Sequence, residues 1–362
     1  MTRCVGIVAV TIAVRLLAPP HVTIAPAISG TDTTGNILPT AFTQLKEAQA
    51  LVGVVYAALR GRYVPSERPF TWSNDFFKGE SGNTYVPYTL TIERAKVPTS
   101  TVAMYVLVTP RSQGARKSAG LPEVPETEEP QAPLAPEYAF ERISFIDLST
   151  DQGQGAYRIR RTFSLPAGDY DVYVALSPSA GTETSLQRQV SSAAVMMIKQ
   201  ELSVPDLWKG GLSTSTVVVA ERVEPLKAPL TPEQQDLEPY TLGTTRIVPA
   251  PSADFKKSDE LAVIFFVYNQ GLSAQGKPDL SIEYRFHLRG TGGGETSFSK
   301  TAPQHLNSQT LPTFDVAAGH QLIGGQAVSL RAFPEGAYRL EIKITDKTNG
   351  ATLTRGVNFG VR

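Results

Sequence analysis

Residues 165–176 read LPAGDYDVYVAL and residues 333–344 read FPEGAYRLEIKI, one phrase written twice. Pro166, Gly168 and Tyr170 map onto Pro334, Gly336 and Tyr338. Proline presets φ at about −65° and glycine accepts the positive φ of a tight turn, so each copy predicts a sharp reversal into a strand. From each tyrosine the apolar residues alternate. Tyr170, Val172, Val174 and Leu176 share one face in the first copy, and Tyr338, Leu340, Ile342 and Ile344 share one face in the second. Tyrosine suits such a corner because its ring fills the core edge while its hydroxyl reaches a nearby backbone group. Immunoglobulin-like sandwiches use a tyrosine this way near the start of their penultimate strand. Each copy here precedes one hairpin and one last strand, which fits that position. The predicted fold class is all-β: two tandem Ig-like or fibronectin-III-like β-sandwiches preceded by a short N-terminal helix.

The flanking sequence carries the same signal. TYVPYTLTIE (84–93) places Val86, Tyr88, Leu90 and Ile92 on one face, with Pro87 predicting an edge or the start of a strand. TVAMYVLV, EYAFERISFIDL, AYRIRRTFSL and SAAVMMIK (192–199) supply further strands of the first half. LAVIFFVYN (261–269), LSIEYRFHLRG (280–290), QAVSLRAF and ATLTRGVNFGV supply those of the second, with GTGGG (290–294) as a hairpin loop. Residues 40–60 put Leu45, Ala48, Val52, Val55 and Leu59 at helical spacing, with a strand at 52–57 as the rival reading. Residues 111–136 hold five prolines and an acidic patch with almost no large apolar side chain, and predict a disordered insertion. The resulting map is a signal peptide at 1–29, a linker and amphipathic helix at 30–62, and a first sandwich at 63–205. A Pro-rich connector at 206–242 and a second sandwich at 243–362 follow.

Composition excludes some classes of function. Lys plus Arg number 34 and Asp plus Glu number 34, so the basic excess of a nucleic-acid-binding protein is missing. Arg3 followed by the apolar run 4–14 and the small residues at 25–27 reads as an export signal, although Arg15 interrupts it. A buried strand or a misplaced start is the competing explanation. No stretch reaches the ~20 apolar residues of a membrane-spanning helix, so no transmembrane span is expected in the mature chain. Cys4 is the sole cysteine and lies inside the presumed signal, which leaves the mature chain no thiol for disulfide, nucleophile or metal site.

Few residues suggest catalysis, and no catalytic, cofactor-binding or metal site is assigned. Outside the presumed signal the histidines are His287, His305 and His320, none at metal-ligand spacing. No GxSxG elbow is present, and GTGGG, TDKTNG and STDQGQG read as turns. Glu128 and Glu129 fall in the predicted disordered insertion, where no fixed geometry serves acid–base work. Two surfaces are better candidates. If 280–290 and 336–346 are neighbouring strands, Glu283, Arg285, His287, Arg289, Arg339, Glu341 and Lys343 share one outer face, either a binding face or a solvated ion-paired one. On 261–269 the outward Ile264, Phe266 and Tyr268 need a cover, either the first sandwich as an interdomain contact or a separate partner.

The stretches TLGTTRIVPAP, LAVIFFVYN, LSIEYRF and FPEGAYRLEIKITDKTNGATLTRGVNFGV, with NTYVPYTLTIE in the first half, resemble a group of exported bacterial proteins. These carry tandem Ig-like domains and are similar to the C-terminal domains of acidobacterial GWxTD-containing or von Willebrand-A-related proteins. The GWxTD motif is absent here, so the resemblance implies fold and export and transfers no catalytic residue. The expected role is a non-catalytic exported structural or protein-interaction module of the bacterial cell envelope, without cofactor, in the periplasm or outside the cell. Another envelope protein is the expected partner. The alternative is a glycan-binding accessory module of an exported hydrolase, for which Trp72 and Trp208 would be the aromatic platform.

Overall fold

Alternating residues become strands, and both halves build the same two-layer arrangement. The computed structural model describes residues 39–61, 68–111, 138–149, 151, 155–179, 195–290 and 292–362. The predicted signal peptide, and almost all of the predicted insertion, lie outside the described residues. So does the stretch 180–194.

The first half contains α1 (Pro39–Leu59), β1 (Thr71–Asn74), β2 (Phe77–Lys78), β3 (Thr84–Glu93), β4 (Thr101–Pro110), β5 (Phe140–Asp147), β6 (Ala156–Leu165), β7 (Gly168–Ser179) and β8 (Met196–Val204). In one sheet β3 pairs with β1, β2 and β6, and the other runs β5-β4-β7-β8. Val86, Tyr88, Leu90 and Ile92 meet Met104, Val106, Val172 and Val174 in the buried layer between them. The predicted last strand at 192–199 begins later, at Met196, and runs on to Val204.

Pro87 lies inside β3, not at an edge or a strand start, because β6 pairs along the whole of β3. The consequence falls on the other side. The residues facing β3 there form two short pieces, β1 and β2, which stop at Asn74 and resume at Phe77. Asp75 N–H donates to Pro87 O at 3.0 Å, but Pro87 has no N–H to return the bond.

The second half contains β9 (Ser213–Thr214), β10 (Val218–Pro225), α2 (Pro232–Leu237), β11 (Thr241–Leu242), β12 (Thr245–Pro249), β13 (Asp254–Phe255) and β14 (Glu260–Tyr268). It continues with β15 (Leu280–Arg289), β16 (Glu295–Lys300), β17 (Gln304–Leu306), β18 (Leu322–Ser329), β19 (Gly336–Asp346) and β20 (Thr352–Val361). One sheet runs β11-β12-β10-β14-β18 and the other β13-β20-β19-β15-β16, with β9 on β14 and β17 on β15. The stretch 206–242, expected as a connector, therefore supplies β9 and β10 to this sandwich. Its prolines frame α2, where Thr231 caps the helix and Gln234 completes the capping box. In Ig terms β1, β3 and β6 correspond to β10, β14 and β18, while β4, β7 and β8 correspond to β15, β19 and β20.

The repeated phrase acts alike in both halves. Tyr170 Oη donates to Pro166 O at 3.0 Å, and Tyr338 Oη donates to Pro334 O at 2.8 Å. Both tyrosines are buried. Gly168 and Gly336 take φ of 157° and 155°, and a Cβ on Gly336 would sit 3.0 Å from Leu288 Cδ1.

Helix α1 lies on the outer face of β4 and β7, burying Leu51 and Val55 against Ala103, Tyr105, Leu107, Tyr173 and Ala175. Its deepest face is Ala48, Leu51 and Val55, with Val52 and Leu59 only partly buried. The expected line through Val52 is thus rotated by one residue, because a 3.6-residue period lets 51 and 52 straddle the contact.

Candidate interaction surfaces

The two sandwiches meet at a built junction. Ile264, Phe266 and Tyr268 of β14 are buried with Phe77, Leu207, Val218, Ala220, Tyr240 and Ile247. The Phe77 ring lies edge-on to Phe266 at 5.9 Å and to Tyr240 at 6.4 Å. Polar groups surround this apolar centre. Phe76 N–H donates to Thr216 Oγ1, and Thr216 N–H donates to Phe76 O, both at 2.9 Å. Lys78 N–H donates to Tyr268 Oη at 3.2 Å, and Tyr85 Oη donates to Pro239 O at 2.9 Å. Tyr240 Oη donates to the Asp75 carboxylate at 2.6 Å. Burial pushes the Asp75 carboxyl above its ordinary range, and the Tyr240 bond opposes part of that rise. Arg142 of β5 pairs with Asp236 of α2, adding a charged clasp at the rim.

The second surface is the outer face of β15 and β19. The ladder sets Glu283 opposite Lys343, Arg285 opposite Glu341, and His287 opposite Arg339. Ion pairs lace it: Arg285 to Glu283 at 2.6 Å, Arg339 to Glu341 at 3.3 Å and Arg339 to Glu295 at 2.8 Å. Arg289 approaches Glu295 at 3.7 Å. His287 Nε2 lies 4.0 Å from Glu341, beyond hydrogen-bond reach, with its side chain 18% exposed. All seven residues expected on this face are thus on adjacent strands of one sheet. Glu295 and Lys300 of β16 join them, and neither stood out in the sequence, because ETSFSK lacks the alternation that marks a strand.

The corresponding face of the first sandwich is different in kind. There β4 and β7 present Ala103, Tyr105, Leu107 and Tyr173, and α1 covers them. The second sandwich leaves its β15–β19 face polar and uncovered among the described residues.

Other sequence candidates are structurally engaged. Trp72 stacks on Tyr88 at 4.4 Å. Trp208 donates its indole N–H to Asn83 O at 2.8 Å beneath Lys78, whose Nζ is 4.3 Å from the ring centre. His305, expected in a loop, lies in β17 opposite Ser281. His320 Nδ1 accepts from Asp315 N–H at 3.0 Å. In the TDKTNG turn the buried Asp346 accepts from Gly271 N–H and Thr348 Oγ1, both at 2.6 Å, as a turn clamp. Among the described residues no group of three or more His, Cys, Asp or Glu could hold a metal ion. No described helix is long and apolar enough to cross a membrane.

No protein-family model and no curated protein matches the chain. Solved structures that align with it include trypsin-activated α-2-macroglobulin from Escherichia coli, at 14% identity over 83% of this chain and 17% of that chain, with a TM-score of 0.21. A mutant α-2-macroglobulin from Salmonella aligns at 11% identity over 82% and 17%, with a TM-score of 0.19. Red sea bream transglutaminase aligns at 8% identity over 84% and 33%, with a TM-score of 0.22. The chain spans a third or less of the length of each of these proteins. The fold rests on its own strand pairings.

Proposed function

We propose that this chain is a non-catalytic structural or protein-interaction module, exported to the bacterial cell envelope. The observation that carries the reading is the contrast between equivalent faces. One β-sandwich covers its face with α1 while the other displays a charged ladder on a rigid sheet. A face of flat, pre-ordered charge suits orientation and partner selection more than tight burial. The docked junction supports a structural role as well, because two sandwiches held by Phe77, Phe266 and the Asp75–Tyr240 bond present that face at a fixed angle. Export rests on the leader-like N-terminus and on the resemblance to exported bacterial proteins. Both tryptophans are occupied in packing, which disfavours a sugar-stacking platform.

Site-specific photo-crosslinking in the native envelope tests this. A crosslinker at Ser297, beside the ladder, is expected to capture one discrete protein partner, while one at Val223, on the opposite sheet, captures none. Capture at Val223 alone, or polysaccharide retention abolished by Trp72→Ala and Trp208→Ala, would replace the reading.

A further inference from the structure

The charged face is unevenly neutralised. At one end Arg289 and Arg339 share Glu295, and Arg339 also reaches Glu341. At the other end Glu283 stands among Arg285, Lys300 and Lys343. Arg285 hydrogen-bonds it and holds its carboxyl below the usual range, with the Lys343 and Lys300 charges adding to that effect. Among the described residues neither Lys300 nor Lys343 has a carboxylate at ion-pair distance. Arg285, Arg289, Lys300, Arg339 and Lys343 thus outnumber Glu283, Glu295 and Glu341 by two charges, and the surplus sits around Glu283.

A shallow notch of about 290 Å³ opens at that end, lined by Glu283, Tyr284, Arg285, Lys300 at the end of β16 and the segment 301–303. Beside it runs β16, exposed at all six residues. This strand pairs with β15 on one side and with no described strand on the other. Its outer edge offers main-chain donors and acceptors to an added strand.

We propose that the notch and the open edge of β16 together receive an extended acidic polypeptide. Its carboxylates lie against Arg285, Lys300 and Lys343 while its main chain runs along β16. This names the partner chemistry of the interaction reading above and rests on it. A polypeptide fits better than an acidic polysaccharide, because only a polypeptide can use the ladder groups of β16. The seven ladder residues also include no Phe, Tyr or Trp side chain on which a sugar ring could stack.

The test uses the full chain and fluorescence anisotropy with a labelled octaglutamate peptide. Octaglutamate is expected to bind, less tightly as salt rises. Replacing Lys300→Gln and Lys343→Gln together is expected to weaken it by about fivefold or more, while Lys256→Gln, on a distant exposed lysine, leaves it unchanged. An octaglutamate methylated on alternate backbone nitrogens keeps every charge and is expected to bind several-fold weaker. Unchanged binding by the double variant would overturn the proposal, as would equal binding of the methylated peptide. Tighter binding of polygalacturonate would move the site to polysaccharide, and displacement by millimolar inorganic phosphate would reduce it to simple anion attraction. If crosslinking at Ser297 still captures the same partner in the double variant, the notch is wrong while the interaction reading stands. If the unmodified chain captures nothing there, the interaction reading itself fails.

Discussion

Asp75 and Tyr240 belong to different sandwiches, and their side chains share one hydrogen bond of 2.6 Å beside the apolar centre of the junction. Burial raises the Asp75 carboxyl above its ordinary value of 3.8. The folded chain therefore keeps this proton to higher pH than the unfolded chain does. Ionisation costs the folded state stability, a penalty that is absent below pH 3.8 and grows as pH rises through the raised value. Asp75→Asn keeps an acceptor for Tyr240 and removes the charge. Urea denaturation at stepped pH is expected to show variant and parent matched below pH 3.8 and the variant increasingly more stable as pH rises toward neutral. A stability difference that does not change with pH would contradict the assignment.

Removing the donor acts in the opposite sense. Tyr240→Phe leaves the buried carboxylate without its partner, and the expected loss is ~1–3 kcal/mol at neutral pH. The same denaturation series reads it, and the loss shrinks under acidic conditions that protonate Asp75.

The twin corners yield a matched pair. Tyr170→Phe and Tyr338→Phe each delete one hydroxyl bond to a proline carbonyl, so each is expected to cost about 1 kcal/mol. Tyr338→Ala also empties a fully buried site and is expected to cost ~3–5 kcal/mol. Differential scanning calorimetry separates the two cases, and a silent Tyr338→Phe would mean that the hydroxyl contributes nothing.

Two glycines should respond with opposite signs. A Cβ on Gly324 would press into the Phe265 ring, 2.6 Å from Cε2. Gly324→Ala is expected to cost ~1–3 kcal/mol through overpacking. Gly53 sits in α1 with open space around it, and Gly53→Ala is expected to stabilise by roughly 0.5–1 kcal/mol. Chemical denaturation midpoints give both.

Leu51→Asp should lift α1 from the first sandwich, because it puts a charge among Ala103, Tyr105 and Tyr173. The expected readout is binding of a hydrophobic dye and self-association in sedimentation, with retained β-sheet circular dichroism.

The strands were legible wherever one face is buried and the other wet, as along Leu280, Ile282, Tyr284 and Phe286, because burial imposes the two-residue period. The corner phrase was legible because proline, glycine and tyrosine each have a specific local task. The strand at Val218–Pro225 was hidden by its neighbours: prolines at 225, 229 and 232 marked the segment as a connector. They shape the path after the strand and do not forbid the strand itself. The ladder residues on β15 and β19 could be placed on one face by parity alone. Glu295 and Lys300 could not, since an edge strand exposed throughout has no buried side to set a pattern. Asp75 and Tyr240 lie far apart in the chain, and no local rule brings them together.

Between β1 and β2, Phe76 exchanges two hydrogen bonds with Thr216, so one residue of the front unit zips onto the rear one. The seam is spelled jointly, half in each lobe, so trimming the gene at residue 243 would yield a rear lobe lacking its opening ribbon with Phe266 laid bare. The two lobes are expected to fold only when expressed together as one block.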